Sequence, residues 1–471
     1  MKRLLTVAAC AISAFAIGFS GCFISAGLNG VDGADGKNGK DGQNATAYDY
    51  YELAKTVEGQ ENMTIEEFLQ KYLSYTKEEL EKEFAPQRNA NYSLLSAVSI
   101  LTGFTCKEGW INYNVVYSGS GVIVDIDKEN GDAYVVTNCH VVYNDAAVTH
   151  ISKDIRLYLY GQDTRDVNYT LQSTQVIKNS DIYNTVISGD EDYCIKASVV
   201  SASVENDIAL LRVKGSEVLK NSNAVAAEFE ESDDVYVKEE VYAIGNPEGD
   251  GMSVTSGTIT KDSQIIQLNL SDKYSNSESE FRDYRVIGTD AAINGGNSGG
   301  GLFSSRTGKI LGIVNSKNVG EEFDNMGFVL PGSVVKRLWV LMRDNFESKG
   351  GNTYASTTGV DCVVFPATCA AKSTGAYWDN EKNVTVIEEK VTVTSNKQLS
   401  EGNEFKISDV ITHIKISDKA GKVCEDRDVT RVYHLKDTLI SARAGYTVEI
   451  TVSRGGESVV VTYTATTSRV G

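Results

Sequence analysis

The chain is short of basic residues, of spanning-length apolar runs and of histidine, and each shortage closes off a class of function. Lys and Arg number 45 against 64 Asp and Glu, a formal net charge of −19, so the chain repels nucleic acid and lacks an electrostatic grip on anionic membranes. Any membrane attachment must then be covalent or hydrophobic. The N-terminal apolar run, Leu4 to Phe19, is too short for a comfortable spanning helix. Only 4 histidines are present, and no grouping of His and Cys has zinc-ligand spacing, so neither a metal nor a cofactor is expected. Proline is missing from the one tract where glycine falls at every third position, Gly27 to Gly42. Six such triplets without proline are too weakly preorganised for a confident triple helix, and a hydrated tether is expected, with a short triple helix as the alternative.

What is there centres on Thr289-Asp-Ala-Ala-Ile-Asn-Gly-Gly-Asn-Ser-Gly-Gly-Gly-Leu302, in which glycines bracket Ser298 between two strand-like runs. Such a turn lets a substrate carbonyl approach and aims main-chain N–H groups of Gly296, Asn297 and Ser298 toward an oxyanion. Upstream, Ala133-Tyr-Val-Val-Thr-Asn-Cys-His-Val-Val142 is an apolar strand ending in His140, and Glu205-Asn-Asp-Ile-Ala-Leu-Leu-Arg-Val213 puts Asp207 at the mouth of another. Taken singly, each has an ordinary explanation: a glycine-rich turn, a core histidine, a solvated carboxylate.

Together they resemble a chymotrypsin-fold serine protease of the HtrA (Deg) type. The resemblance rests on Thr137-Asn-Cys-His-Val-Val, Asn206-Asp-Ile-Ala-Leu-Leu, Ala243-Ile-Gly-Asn-Pro, Val254-Thr-Ser-Gly-Thr-Ile, Thr289-Asp-Ala-Ala-Ile-Asn, Gly296-Asn-Ser-Gly-Gly and Met326-Gly-Phe-Val-Leu-Pro, in that order. It implies Ser298 as nucleophile, His140 as base and Asp207 as the carboxylate that fixes the imidazole tautomer. It also implies unfolded or exported proteins as substrates and a homotrimeric assembly.

The expected fold is mainly β: a double antiparallel barrel over residues 93–348, with the catalytic site between the barrels. The Gly119–Asp125 run is expected to pair with Ala133–Val136 across an Asn130-Gly131 turn. Ala292, six residues before the nucleophile, is small and uncharged, and with Ile293, Ile313, Val314 and Asn315 it is expected to line a shallow apolar pocket for small aliphatic side chains. The strand Leu311 to Ser316 is the expected edge for an extended substrate. Ser333 is expected to cap an amphipathic helix that closes the domain. A polar insertion, 161–193, and an acidic stretch, 271–283, are candidate regulatory loops or mere decoration.

Around this region, residues 1–22 resemble a bacterial lipoprotein signal, with Cys22 as the acylated residue. An ordinary cleaved signal is the alternative. Residues 23–45 form the tether, and 46–92 a helical spacer with capping-box signatures at Thr64-Ile-Glu-Glu67 and Thr76-Lys-Glu-Glu79. After a linker at 349–374, residues 375–466 resemble a PDZ domain as appended to HtrA proteases, an α+β unit. The glycine-hydrophobic loop that would cradle a peptide carboxylate is not recognisable near Gly375-Ala-Tyr-Trp378, so a structural module is an equal reading. Of 8 cysteines, Cys10 and Cys22 lie in the leader region, and Cys362 and Cys369 are close enough in sequence to form a disulfide.

The reading is a serine endopeptidase lipid-anchored on the extracytoplasmic face of a bacterial cell membrane. Its rival is a protein-binding, chaperone-like surface lipoprotein whose protease fold is idle.

Overall fold

A computed structural model describes residues 51–52, 54–56, 62–73, 77–108, 111–162, 187, 193–249, 251–269, 281–317, 326–397, 399 and 402–470. The leader with Cys22, the glycine tract, most of the 161–193 insertion, most of the 271–283 stretch and the 319–325 loop lie outside them. Two compact units divide the chain, residues 1–86 and 87–471.

In the first unit, helix α1 (Ile65–Leu73) begins with the reciprocal box that its sequence dictates. Glu67 N–H donates to Thr64 Oγ1 at 3.2 Å, and Thr64 N–H donates to Glu67 Oε2 at 2.9 Å. Phe68 is buried against the rings of Tyr51 and Tyr72 at 5.7 and 5.3 Å between centroids. The Thr76 box lies outside the described residues. Helix α2 (Lys77–Ser93) carries Pro86 in its interior and crosses the boundary between the units.

The second unit is built on two closed antiparallel barrels of six strands each. The first contains β1 (Ala97–Glu108), β2 (Ile111–Asp127), β3 (Asp132–Thr137), β4 (Asp154–Leu159), β5 (Ile195–Ser203) and β6 (Ile208–Val213), ordered β1-β2-β3-β6-β5-β4. The second contains β7 (Glu240–Gly245), β8 (Ser253–Asn269), β9 (Phe281–Thr289), β10 (Gly301–Ser304), β11 (Ile310–Lys317) and β12 (Gly327–Pro331), ordered β10-β11-β12-β9-β8-β7. β2 and β3 form the expected hairpin, with Val122 opposite Val136 and Ile123 opposite Val135. Short helices α3 (Cys139–Val142) and α4 (Glu217–Lys220) follow β3 and β6.

β6 is buried along nearly its whole length because both faces are covered, one by the barrel interior and the other by helix α5 (Gly332–Ser348). Val335, Leu338, Leu341, Met342 and Phe346 of α5 join the core shared by the two barrels. Each contributes roughly 1.5–3 kcal/mol by leaving water. Ser333 does not cap this helix as expected. Its extended N-cap is Pro331, and the Ser333 hydroxyl donates instead to Asp437 Oδ2 at 2.6 Å.

The C-terminal part has its own core, including Val391, Phe405, Ile414, Leu435, Ile450 and Val461. It is a sheet ordered β14 (Ala367–Asp379), β15 (Val384–Asn396), β16 (Val410–Ser417), β18 (Thr447–Arg454), β19 (Glu457–Thr464), with β17 (Val423–Asp428) also paired to β16 and helix α6 (Val432–Leu439) before β18. β13 (Val360–Val363) pairs separately with β20 (Thr467–Val470). The expected bridge between Cys362 and Cys369 is not formed: both are free thiols, on different strands packed against different cores. Burial pushes the Cys369 thiol up to about 11.

Ion pairs and hydrogen bonds link this part to the segment before β7 and, through it, to α5. Asp233 meets Lys336 and Arg337 of α5 at 2.5 and 2.9 Å, and also Arg427 of β17. Asp234 accepts from His434 Nε2 at 2.8 Å and from the Tyr433 hydroxyl at 3.0 Å.

Candidate active site

The register of the first barrel brings His140 and Asp207 together. β3 and β6 pair with Thr137 opposite Ala209, so the turn that leaves β3 lies beside the turn that enters β6. Asn138, in extended conformation, is the N-cap of α3, and His140 follows two residues later with its side chain 16 % exposed. Asp207 is fully buried. One carboxylate oxygen, Oδ1, accepts the main-chain N–H of His140 at 3.0 Å. The other, Oδ2, lies 2.8 Å from His140 Nδ1. The ring is thus held by a charge-assisted contact that selects the tautomer with its proton on Nδ1 and leaves Nε2 as the basic nitrogen.

Two buried asparagines brace this carboxylate residue. Asn315 donates Nδ2–H to Asp207 Oδ2 at 2.5 Å, and Asn138 donates Nδ2–H to the main-chain oxygen of Asp207 at 3.0 Å. The second bond matters because Asp207 has φ 48°, a left-handed conformation that costs a non-glycine residue of order 1–3 kcal/mol.

Ser298 sits in a turn that only glycine can complete. Gly299 has φ 86°, and a Cβ there would fall 2.1 Å from the Ser120 oxygen and 2.2 Å from Thr137 Oγ1. The Ser298 hydroxyl donates to the main-chain oxygen of Asn315 at 3.1 Å. Of the three amides expected to face an oxyanion, that of Asn297 is engaged inside the turn, donating to Asn294 O at 3.1 Å. Asn297 is itself buried behind the turn. The amides of Gly296 and Ser298 donate to no group among the described residues. Gly296, at φ 91°, adopts a conformation natural to glycine.

The five residues expected at the substrate pocket differ in exposure. Ala292 is exposed, and its carbonyl accepts from Thr255 Oγ1 at 2.9 Å. Ile293 and Val314 are buried in the core of the second barrel. Ile313 is buried in the larger core. Asn315 is buried on Asp207 rather than presented to a substrate. β11 is not an edge of its sheet, since it pairs with β10 through Ile313 and with β12 from Gly312 to Lys317. Beyond Val314 its pairing continues with β12 alone. Glu321 and Glu322 of the following loop lie outside the described residues.

Residues 119–313 match the family described as the trypsin-like peptidase domain. The chain is 28% identical to the serine protease Do-like HtrA of Bacillus subtilis (strain 168), over 72% of this chain and 61% of that protein. It is 29% identical to the periplasmic serine endoprotease DegP of Escherichia coli (strain K12), over 55% of this chain and 43% of that protein. The chain therefore spans less than two thirds of either relative. Among solved structures, the HtrA-type protease AlgW with tripeptide matches at a TM-score of 0.46 and 21% identity, over 81% of this chain and 97% of that one. Residues 119–313 thus carry the trypsin-like peptidase match, and the chain is similar to HtrA- and DegP-type serine proteases.

Proposed function

We propose that the chain is an extracytoplasmic serine endopeptidase, lipid-anchored through Cys22, that cleaves misfolded or exported proteins by a Ser298–His140–Asp207 triad. The observation that carries this reading is the buried Asp207 carboxylate, bonded at once to the ring and the main chain of His140 and braced by Asn315 beside Ser298. A buried carboxylate with this set of partners orients an imidazole and stabilises its protonated form. His140 Nε2 takes the Ser298 proton as the hydroxyl attacks the scissile carbonyl, then gives it to the leaving amine. The amides of Gly296 and Ser298 receive the oxyanion.

Substrate binding has a defined first task. The Ser298 proton is given to Asn315 O in the present conformation, so the hydroxyl must rotate toward His140 before it can react. A substrate N–H bonding to Asn315 O, as an extended chain laid along the outer margin of β11 would do, displaces that hydroxyl. The same hydrogen bond favours the second reading, a protein-binding lipoprotein whose protease fold is idle.

Incubating the full chain with casein separates the two. Turnover that is abolished by Ser298→Ala and by a fluorophosphonate supports the endopeptidase, with a loss on the order of a million-fold in kcat. Binding of casein without turnover supports the idle fold. The C-terminal part, read as PDZ-like, and a homotrimeric assembly belong to the same proposal by resemblance to the HtrA family.

A further inference from the structure

Ser120 has no place in the proposed triad, yet it makes two hydrogen bonds to the turn that carries Ser298. It lies on β2 of the first barrel and is fully buried. Its main-chain N–H donates to Ser298 O at 2.8 Å, and its hydroxyl donates to Gly296 O at 2.7 Å. Each carbonyl belongs to a residue whose amide is assigned to the oxyanion. One residue of the first barrel therefore grips the nucleophile turn of the second barrel on both sides.

The direction of the hydroxyl proton is dictated by a third group. Asn246 N–H, from the segment after β7, donates to Ser120 Oγ at 2.8 Å, and Asn246 Oδ1 in turn accepts Gly251 N–H at 2.8 Å. With its oxygen already accepting from Asn246, the Ser120 hydroxyl has its single proton to give, and Gly296 O takes it. The Ser120 carbonyl is occupied as well, accepting from Thr137 Oγ1 at 2.7 Å. All of its polar atoms are committed.

We propose that Ser120 is a positioning residue for the oxyanion-binding turn. Gly296 carries its N–H and its C=O on adjacent peptide planes joined at one Cα. As a glycine at φ 91° it has no side chain to restrain either plane. Anchoring the carbonyl limits the swing of the neighbouring amide, and oxyanion stabilisation depends on that amide being aimed before charge develops. Replacing the hydroxyl by hydrogen also leaves the buried Asn246 N–H without an acceptor, which favours rearrangement of the segment.

This inference rests on the endopeptidase reading, so Ser298→Ala is assayed beside it: hydrolysis that survives that change refutes the reading itself and says nothing of Ser120. Ser120→Ala, Ser120→Cys and Ser120→Thr are compared with the parent chain on one peptide substrate and on the matching peptide boronate, which captures Ser298 as a tetrahedral adduct. Ser120→Ala is expected to lower kcat about tenfold to a hundredfold, below the effect of deleting an oxyanion donor outright. KM should stay within about threefold, and boronate affinity should fall in step with kcat/KM. The pH at which kcat/KM rises on the acid side should not move, because the His140–Asp207 pair is untouched. Thr, which keeps the hydroxyl, should restore most of the loss. Cys, a weak donor of similar shape, reports on the same bond if Ala fails to fold. Unchanged kcat in Ala or Cys, or a loss carried entirely by KM with boronate affinity intact, would overturn the proposal.

Discussion

Asn315 lies against Asp207, its side-chain amide 2.5 Å from the carboxylate oxygen that also holds the His140 ring. Its main-chain oxygen meanwhile accepts the Ser298 hydroxyl at 3.1 Å, so one residue touches both ends of the proposed triad.

Asn315→Ala removes a hydrogen bond to a buried charge, an interaction of about 1.5–3 kcal/mol. We expect kcat/KM to fall about tenfold to a hundredfold on that account, and further in Asn315→Asp, which sets a second carboxylate against Asp207. Steady-state kinetics on a fluorogenic peptide would check this, and full activity in both variants would rule out the bracing role.

Acid should loosen the contact between the C-terminal part and the segment before β7. Asp233 faces Lys336, Arg337 and Arg427, and Asp234 faces His434, Tyr433 and Arg427. Burial alone would raise both carboxyls, but the cations and hydrogen bonds outweigh it and hold them below the ordinary carboxylate value. A depressed carboxyl contributes stability above its unfolded pKa and loses it as pH falls through the folded one. The contact should hold from neutrality down to about pH 4, near the unfolded carboxylate pKa, and weaken progressively below it. Limited proteolysis in the 349–359 segment, followed against pH with an acid-tolerant protease, would register the release. Asp233→Asn should show it already at neutral pH.

Cleavage should follow valine, alanine or isoleucine. Ala292 is uncharged, and Ile293 and Val314 are turned into the barrel core, so no described residue among these offers a countercharge. Seating a lysine or arginine there would desolvate a cation without compensation. Mass-spectrometric mapping of cuts in a denatured proteome would decide, and a majority after basic residues would refute an apolar site.

Cys22→Ala should move the protein from the membrane to the soluble fraction, because the −19 charge offers no alternative grip on an anionic bilayer. Detergent-phase partitioning is the measurement. Retention of the variant in that phase would exclude acylation at Cys22 as the anchor.

Much of the protease architecture was legible in the chain because its signals are local. Apolar β-branched runs punctuated by Asn-Gly and glycine turns specify strands and hairpins, and Thr64 and Glu67 specify their own helix start. The residue types at 140, 207 and 298 were likewise visible from their flanking patterns. Only tertiary structure decided which apolar residues near Ser298 are core: Ile313 and Val314, neighbours on β11, go to different cores, and Ile293, in the loop after β9, joins the core of the second barrel. The same holds for Ser120, Asn138 and Asn315. Each reads as an ordinary polar residue in a strand or turn, and its role arises from partners 176, 69 and 108 residues away in sequence. Hydrogen bonds of that span leave no periodicity behind, because the chain records what each residue is and only the closed barrels determine what it meets.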